Sequence, residues 1–232
     1  MKSSPSAALG MALIGALAGL VAGTSQAASA YSQTWSGAGT EGWEANTISS
    51  VVVFDGGVGN PAGSIATRFD GTVAEFDIGF TSGSIAETSG SFAGSQWKVS
   101  FDLQPNVGKF DNVWLRYRYQ DATFNGWRHA MSGPFDLYGI WTNYSVTFDP
   151  SWSDAQAMAN GWVQEAGPVV SFAQTMGNAY KTEVRLGLDL NTTSALAHMD
   201  NFIQTPVPEP ETWALMLGGL LAVSALARRR QR

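Results

Sequence analysis

The sequence predicts an all-β fold: an antiparallel, jelly-roll-like β-sandwich with one short helix, between an N-terminal signal peptide and a C-terminal hydrophobic helix. Three observations predict the sandwich. Apolar and polar residues alternate with period two in several separate runs, clusters of Gly, Asn, Ser and Asp divide those runs, and helical spacing is confined to one short stretch.

The chain opens with Lys2, an apolar run over residues 7–23 and then small residues. That order is a secretory signal, cleaved after Ala28-Ser29-Ala30 or slightly earlier, in Ser25-Gln26-Ala27. Residues 1–30 are assigned to it and residues 31–205 to the sandwich. Gly56-Gly57-Val58-Gly59-Asn60-Pro61 and Thr88-Ser89-Gly90 read as turns. Between them Ala74, Phe76, Ile78 and Phe80 point inward, against Glu75 and Asp77. Trp97, Val99, Phe101 and Leu103 form an inward row against Lys98, Ser100 and Asp102. Val113, Leu115, Tyr117 and Tyr119 form the next, leaving Trp114, Arg116 and Arg118 outward. Ile140, Thr142, Tyr144, Val146 and Phe148 make a further row, and Val184, Leu186, Leu188 and Leu190 another. The helix falls at residues 151–160. Asp149 can cap it with Pro150 first, or Ser153 and Gln156 can form a capping box, and Asn160-Gly161 ends it.

Beyond the sandwich, Pro206, Pro208 and Pro210 fix φ and remove donors, which predicts an extended, exposed stretch outside helix and sheet. An uncharged apolar run follows, for which a transmembrane helix over about 212–227 is predicted. Fifteen residues, 213–227, make about 22 Å of helix against roughly 30 Å of hydrocarbon, short for a permanent anchor. Arg228, Arg229 and Arg230, with Arg232, stop the span and hold the C-terminus in the cytoplasm.

Val207, the Pro208-Glu209-Pro210 box, the span and the arginines occur in that order at the C-terminus. This tail resembles the PEP-CTERM sorting signal of Gram-negative bacteria that make extracellular polysaccharide. The resemblance, over residues 206–232, implies export through the secretion translocon and transient insertion in the inner membrane. An exosortase, a membrane transpeptidase-like enzyme, then recognises the box and releases the protein to the cell surface or extracellular space.

Composition narrows the function classes. Cysteine is absent, which excludes disulfides, thiol catalysis and Cys-type zinc sites. Residues 31–205 carry eight basic and seventeen acidic side chains, a net charge near −9, which opposes nucleic-acid binding. His129 and His198 are far apart, with no H-E-x-x-H or G-x-S-x-G motif, so neither marks a catalytic site. Glu75 and Asp77 share a strand face, as paired glycosidase carboxylates do. A β-sandwich glycosidase family uses Glu-x-Asp-x-x-Glu, but Phe80 stands where its last Glu belongs, so the proton donor is missing.

Two binding readings remain. Trp114 with Arg116 and Arg118, and Trp141 beside Asn143, point outward and can stack on and hydrogen-bond a glycan. Separately, Glu41-Gly42-Trp43, the turn at 56–63, Gly161-Trp162 and Asp200-Asn201-Phe202 resemble jelly-roll modules of the galactose-binding and laminin B-like groups. That resemblance implies a structural Ca²⁺ at Asp200, with Glu41 or Asp70 as partners; oxygen ligands suit Ca²⁺ rather than zinc. The sequence thus describes an exported, exosortase-sorted surface or extracellular-matrix protein, a non-enzymatic structural component associated with exopolysaccharide or biofilm. A carbohydrate-binding module is the alternative, and a glycoside hydrolase-like enzyme the second.

Overall fold

The alternating runs become the strands of two antiparallel sheets packed as a sandwich. The structure, a computed structural model, describes residues 26–71, 76–83, 85–119 and 125–208. The apolar signal segment, Glu75, Glu209, Pro210, the helix expected at 212–227 and Arg228, Arg229 and Arg230 lie outside the described residues. In chain order the strands are β1 (Tyr31–Gln33), β2 (Glu44–Ala45), β3 (Ser50–Gly59), β4 (Ala62–Asp70), β5 (Asp77–Thr81), β6 (Gln96–Val107), β7 (Phe110–Tyr119), β8 (Gly126–Ala130), β9 (Thr142–Phe148), β10 (Trp162–Gln164), β11 (Ala179–Leu188) and β12 (Ser194–Val207). The first sheet has the order β3-β4-β12-β6-β9, with β1 also on β12; the second has the order β10-β8-β7-β11-β5-β2.

The inward rows meet between the sheets. Val99, Phe101 and Leu103 of β6 and Tyr144, Val146 and Phe148 of β9 are buried on one side; Val113, Leu115 and Tyr117 of β7 and Val184, Leu186 and Leu188 of β11 on the other. Phe92 joins the layers, its ring 5.0 Å from those of both Trp97 and Tyr117. Three expected inward residues are exposed instead: Phe76 at 76%, Ile140 at 54% and Leu190 at 70%. Each lies just outside a strand, where the pleat that enforces alternation is absent.

Two helices form rather than one. α1 (Asp154–Ala159) uses the capping box, Ser153 Oγ accepting from Gln156 N and Gln156 Oε1 from Ser153 N. α2 (Phe172–Gly177) repeats the device with Ser171 and Gln174. It drives Phe172 between Trp127 and Trp162, with ring centroids at 5.5 and 5.2 Å.

Both ends of the domain reach further than the sequence suggests. Ala28 is buried and its amide donates to Ser91 O at 2.8 Å, while Ser29 O accepts from Gln204 Nε2. Pro206, expected outside any sheet, pairs with Trp97 in β12. The β1 ladder ends at Gln204, so β12 has a partner on one side only at Pro206, where a missing N–H is tolerated.

Candidate functional site

β7 and β11 lie side by side in the middle of the second sheet. Their register sets Arg118 opposite Lys181, Arg116 opposite Glu183, Trp114 opposite Arg185, and Asn112 opposite Gly187. β8 sets Arg128 opposite Arg116, and β5 sets Asp77 opposite Gly187. Directly opposed residues share a face. Since Val113, Leu115, Val184 and Leu186 fill the core, this polar set is the outer face of the sheet.

Its floor is a lattice of ion pairs. Arg116 Nη1 donates to Glu183 Oε2 at 2.9 Å, and Arg116 Nε stands 3.4 Å from Glu165 Oε1. Arg118 reaches the other Glu183 oxygen at 3.5 Å, and Arg185 pairs with Asp77. Arg116 and Glu183 are 4% and 3% exposed. Charges removed from water to that degree persist because they are paired.

Above this floor the face offers ring and cation. Trp114 is half-buried, and its six-membered ring crosses β11 at Gly187. A Cβ at position 187 would stand 2.6 Å from Trp114 Cη2, so the glycine makes room for the indole. The Arg128 guanidinium lies 5.0 Å from the Trp114 ring centroid, and Lys181 Nζ lies 5.3 Å from that of Tyr180. The Arg128 side chain is 39% exposed, against 8% for Glu165 next to it. The face therefore presents cations and an indole, with carboxylates underneath.

Of the expected glycan residues, Trp114, Arg116 and Arg118 come together on this face, but their roles differ from expectation. Arg116 is a buried strut, because the lattice draws its guanidinium down onto Glu183 and Glu165. Trp114 is capped by Arg128 rather than bare. Trp141 precedes β9 in the first sheet and does not join them. Arg128, Lys181, Glu165 and Glu183 were missed. The outward phase of Glu183 and Arg185 between Val184 and Leu186 was readable, whereas β8 is too short to reveal its period.

The proposed calcium residues are not brought together. Asp200 is buried; its Oδ2 accepts from Asn60 N and its Oδ1 from Asn201 N, both at 2.7 Å. Burial pushes its carboxyl above the usual range, those two amides oppose the rise, and nearby Asp102 adds to it. Asn201, at φ 51°, sits in a bulge of β12, and its amide donates to Asn60 O and Asp102 Oδ2. The cluster fastens the β3–β4 turn to β12. Asp70 pairs with Ser194, six residues from Asp200 along β12 and so about 20 Å away, and Glu41 is exposed on a loop. Among the described residues no group of three His, Asp or Glu is placed to hold a metal ion.

Both histidines are hydrogen-bonded within the fold. His198 is buried, with Nδ1 2.7 Å from Asn106 Oδ1 and Nε2 3.2 Å from Asp55 Oδ2. His129 Nε2 lies 3.1 Å from Asn160 O. Desolvation lowers the pKa of both imidazoles. A groove of about 590 Å³ on the outer face of the first sheet, bounded by Val53, Asp55, Val107, Leu196 and His198, contains no Trp, Tyr or Phe. Among the described residues no helix is long and apolar enough to cross a membrane.

Comparison with known proteins bears on the fold and on the C-terminal tail. No curated protein matches the chain in sequence. The CBM22-2 xylan-binding domain from Paenibacillus barcinonensis Xyn10C superposes at a TM-score of 0.50 and 13% identity, over 76% of this chain and 99% of that one. The CBM22-1–CBM22-2 tandem domain of the same protein gives 0.50 and 13%, over 76% and 49%. An exo-β-agarase gives 0.52 and 9%, over 78% of this chain but 26% of its own. At these identities the likeness is one of fold, a jelly-roll sandwich. Residues 206–231 match the PEP-CTERM protein-sorting motif, which indicates an exported protein processed by an exosortase.

Proposed function

We propose that the protein is an exported glycan-binding module whose ligand lies across the outer face of the second sheet. The carrying observation is the half-exposed Trp114, held on a sheet face among fixed hydrogen-bond donors. Sugars present apolar C–H faces and hydroxyl rims, and an indole beside a guanidinium, with an ammonium further along the same face, meets both. The sandwich is of the kind that carbohydrate-binding modules have, which supports the reading without deciding it, since one fold serves many functions. This moves glycan binding ahead of a purely structural role in an exopolysaccharide matrix. The module is non-enzymatic in this reading: Asp77, Glu165 and Glu183 are committed to arginines rather than free to act as acid and base.

Sorting then places the module at the cell surface or outside the cell, after export through the translocon and brief residence in the inner membrane. Ala28 and Ser29 are hydrogen-bonded into the fold, as is Gln26, whose carbonyl accepts from Ser91 N at 2.8 Å, and these bonds weigh against cleavage as late as Ala30. Affinity electrophoresis through gels containing the host's own exopolysaccharide tests the function. The protein should be retarded, Trp114→Ala should lose most of that retardation, and Trp141→Ala should keep it. Equal migration of all three with and without polysaccharide would overturn the reading.

A further inference from the structure

We infer that the glycan recognised by this face is anionic, a polymer carrying carboxylates that pair with Arg128 and Lys181; this rests on the glycan-binding reading of the same face. The first observation is the distribution of charge. Residues 31–205 are acidic, with eight basic side chains. Five of the eight, Arg116, Arg118, Arg128, Lys181 and Arg185, belong to this one face by ladder register. The second observation is depth. The acidic side chains among them, Asp77, Glu165 and Glu183, are 16%, 8% and 3% exposed, whereas Arg128 is 39% exposed. Glu44 is exposed on the same face, but on β2, four strand spacings or about 19 Å from β8. What an incoming polymer meets over β8, β7 and β11 is positive.

The third observation is how the two cations are held. Each lies against a ring, Arg128 on Trp114 and Lys181 on Tyr180. A guanidinium resting on an indole has one face covered while its N–H edges remain able to donate. That planar fork matches a carboxylate in bidentate fashion, and charge-assisted hydrogen bonds of this type are roughly twice as strong as neutral ones. Arg128 Nε is 3.8 Å from Glu165 Oε1, beyond hydrogen-bond length, so its fork is steered by that carboxylate without being consumed by it. Trp114 is then a positioning residue for Arg128 as well as an apolar surface. The acidic remainder of the domain repels a polyanion, but that repulsion is screened beyond about 8 Å at physiological ionic strength. The local face decides.

The test uses the full-length protein and three probes: polygalacturonate, the same polymer fully methyl-esterified, and a neutral linear xylan. Polygalacturonate should bind at least about tenfold tighter than its ester, as one charge-assisted hydrogen bond implies. Arg128→Gln combined with Lys181→Gln should erase that preference, lowering the affinity for polygalacturonate about tenfold more than the affinity for the ester. Trp114→Phe should keep the preference and Trp114→Ala should lose it, both measured where circular dichroism shows the variant folded, a pattern that a purely structural tryptophan would not give. Equal affinity for polygalacturonate and ester, or binding of xylan alone, overturns the anionic inference and leaves glycan binding standing. Failure to bind any of the three counts against both.

Discussion

Arg116 and Glu183 carry the strongest residue-scale consequence of this face. Their pair is almost fully buried on what should be the wet side of a sheet, and Arg118 and Glu165 complete its environment. Removing one charge leaves the other desolvated, which costs about 3–5 kcal/mol. Glu183→Gln should therefore lower unfolding free energy by that order in urea titration, whereas a loss below about 1 kcal/mol would mean that the lattice contributes little. The imidazoles set a pH dependence. Burial holds the pKa of both His129 and His198 below the unfolded value of about 6.5, and nearby Asp55 only partly offsets this at His198. Between the two values the unfolded chain binds more protons than the folded one. The contribution of these residues is thus complete above about pH 6.5 and is lost as pH falls below it toward the folded pKa values. His198→Asn should flatten the fall in melting temperature between about pH 7 and pH 5; an equally steep fall in the variant would remove His198 as a cause.

At the scale of elements, period two was enough to place β6, β7, β9 and β11 and to send Trp114 outward. It failed at strand ends, where Phe76, Ile140 and Leu190 continue the pattern in sequence but not in space. Capping chemistry was legible at Ser153 and Gln156. The identical signal at Ser171 and Gln174 went unread because α2, of the same length as α1, lacks the alanine-rich composition that marks α1 as helical. α2 nonetheless seats Phe172 against two tryptophans of the second sheet. Ser171→Ala removes an N-cap acceptor and should cost about 1 kcal/mol. Chemical denaturation reads this directly, and a neutral result would show that packing alone holds α2. Pro206 and the bulge at Asn201 escaped sequence reading for a shared reason. Both depend on which strand lies alongside, and the chain does not record that locally.

For the whole molecule, the sorting tail was the most legible feature, because its parts are contiguous and ordered. The binding face was the least legible. Arg128, Trp114, Lys181 and Glu165 come from β8, β7, β11 and the residue after β10, so only the pairing of strands assembles them. The sequence offered Trp114 and Trp141 as equals, and the topology assigns them to different sheets. The account rests on the claim that ligand lies over the second sheet, and ¹H–¹⁵N spectra of the tryptophan indoles test it most directly. During titration with a polysaccharide that the exported protein retains, the Trp114 Nε1–H resonance should shift progressively, while those of Trp141 and of the buried Trp35 and Trp43 stay in place. A stationary Trp114 resonance with a moving Trp141 resonance would put the ligand on the first sheet and contradict the account.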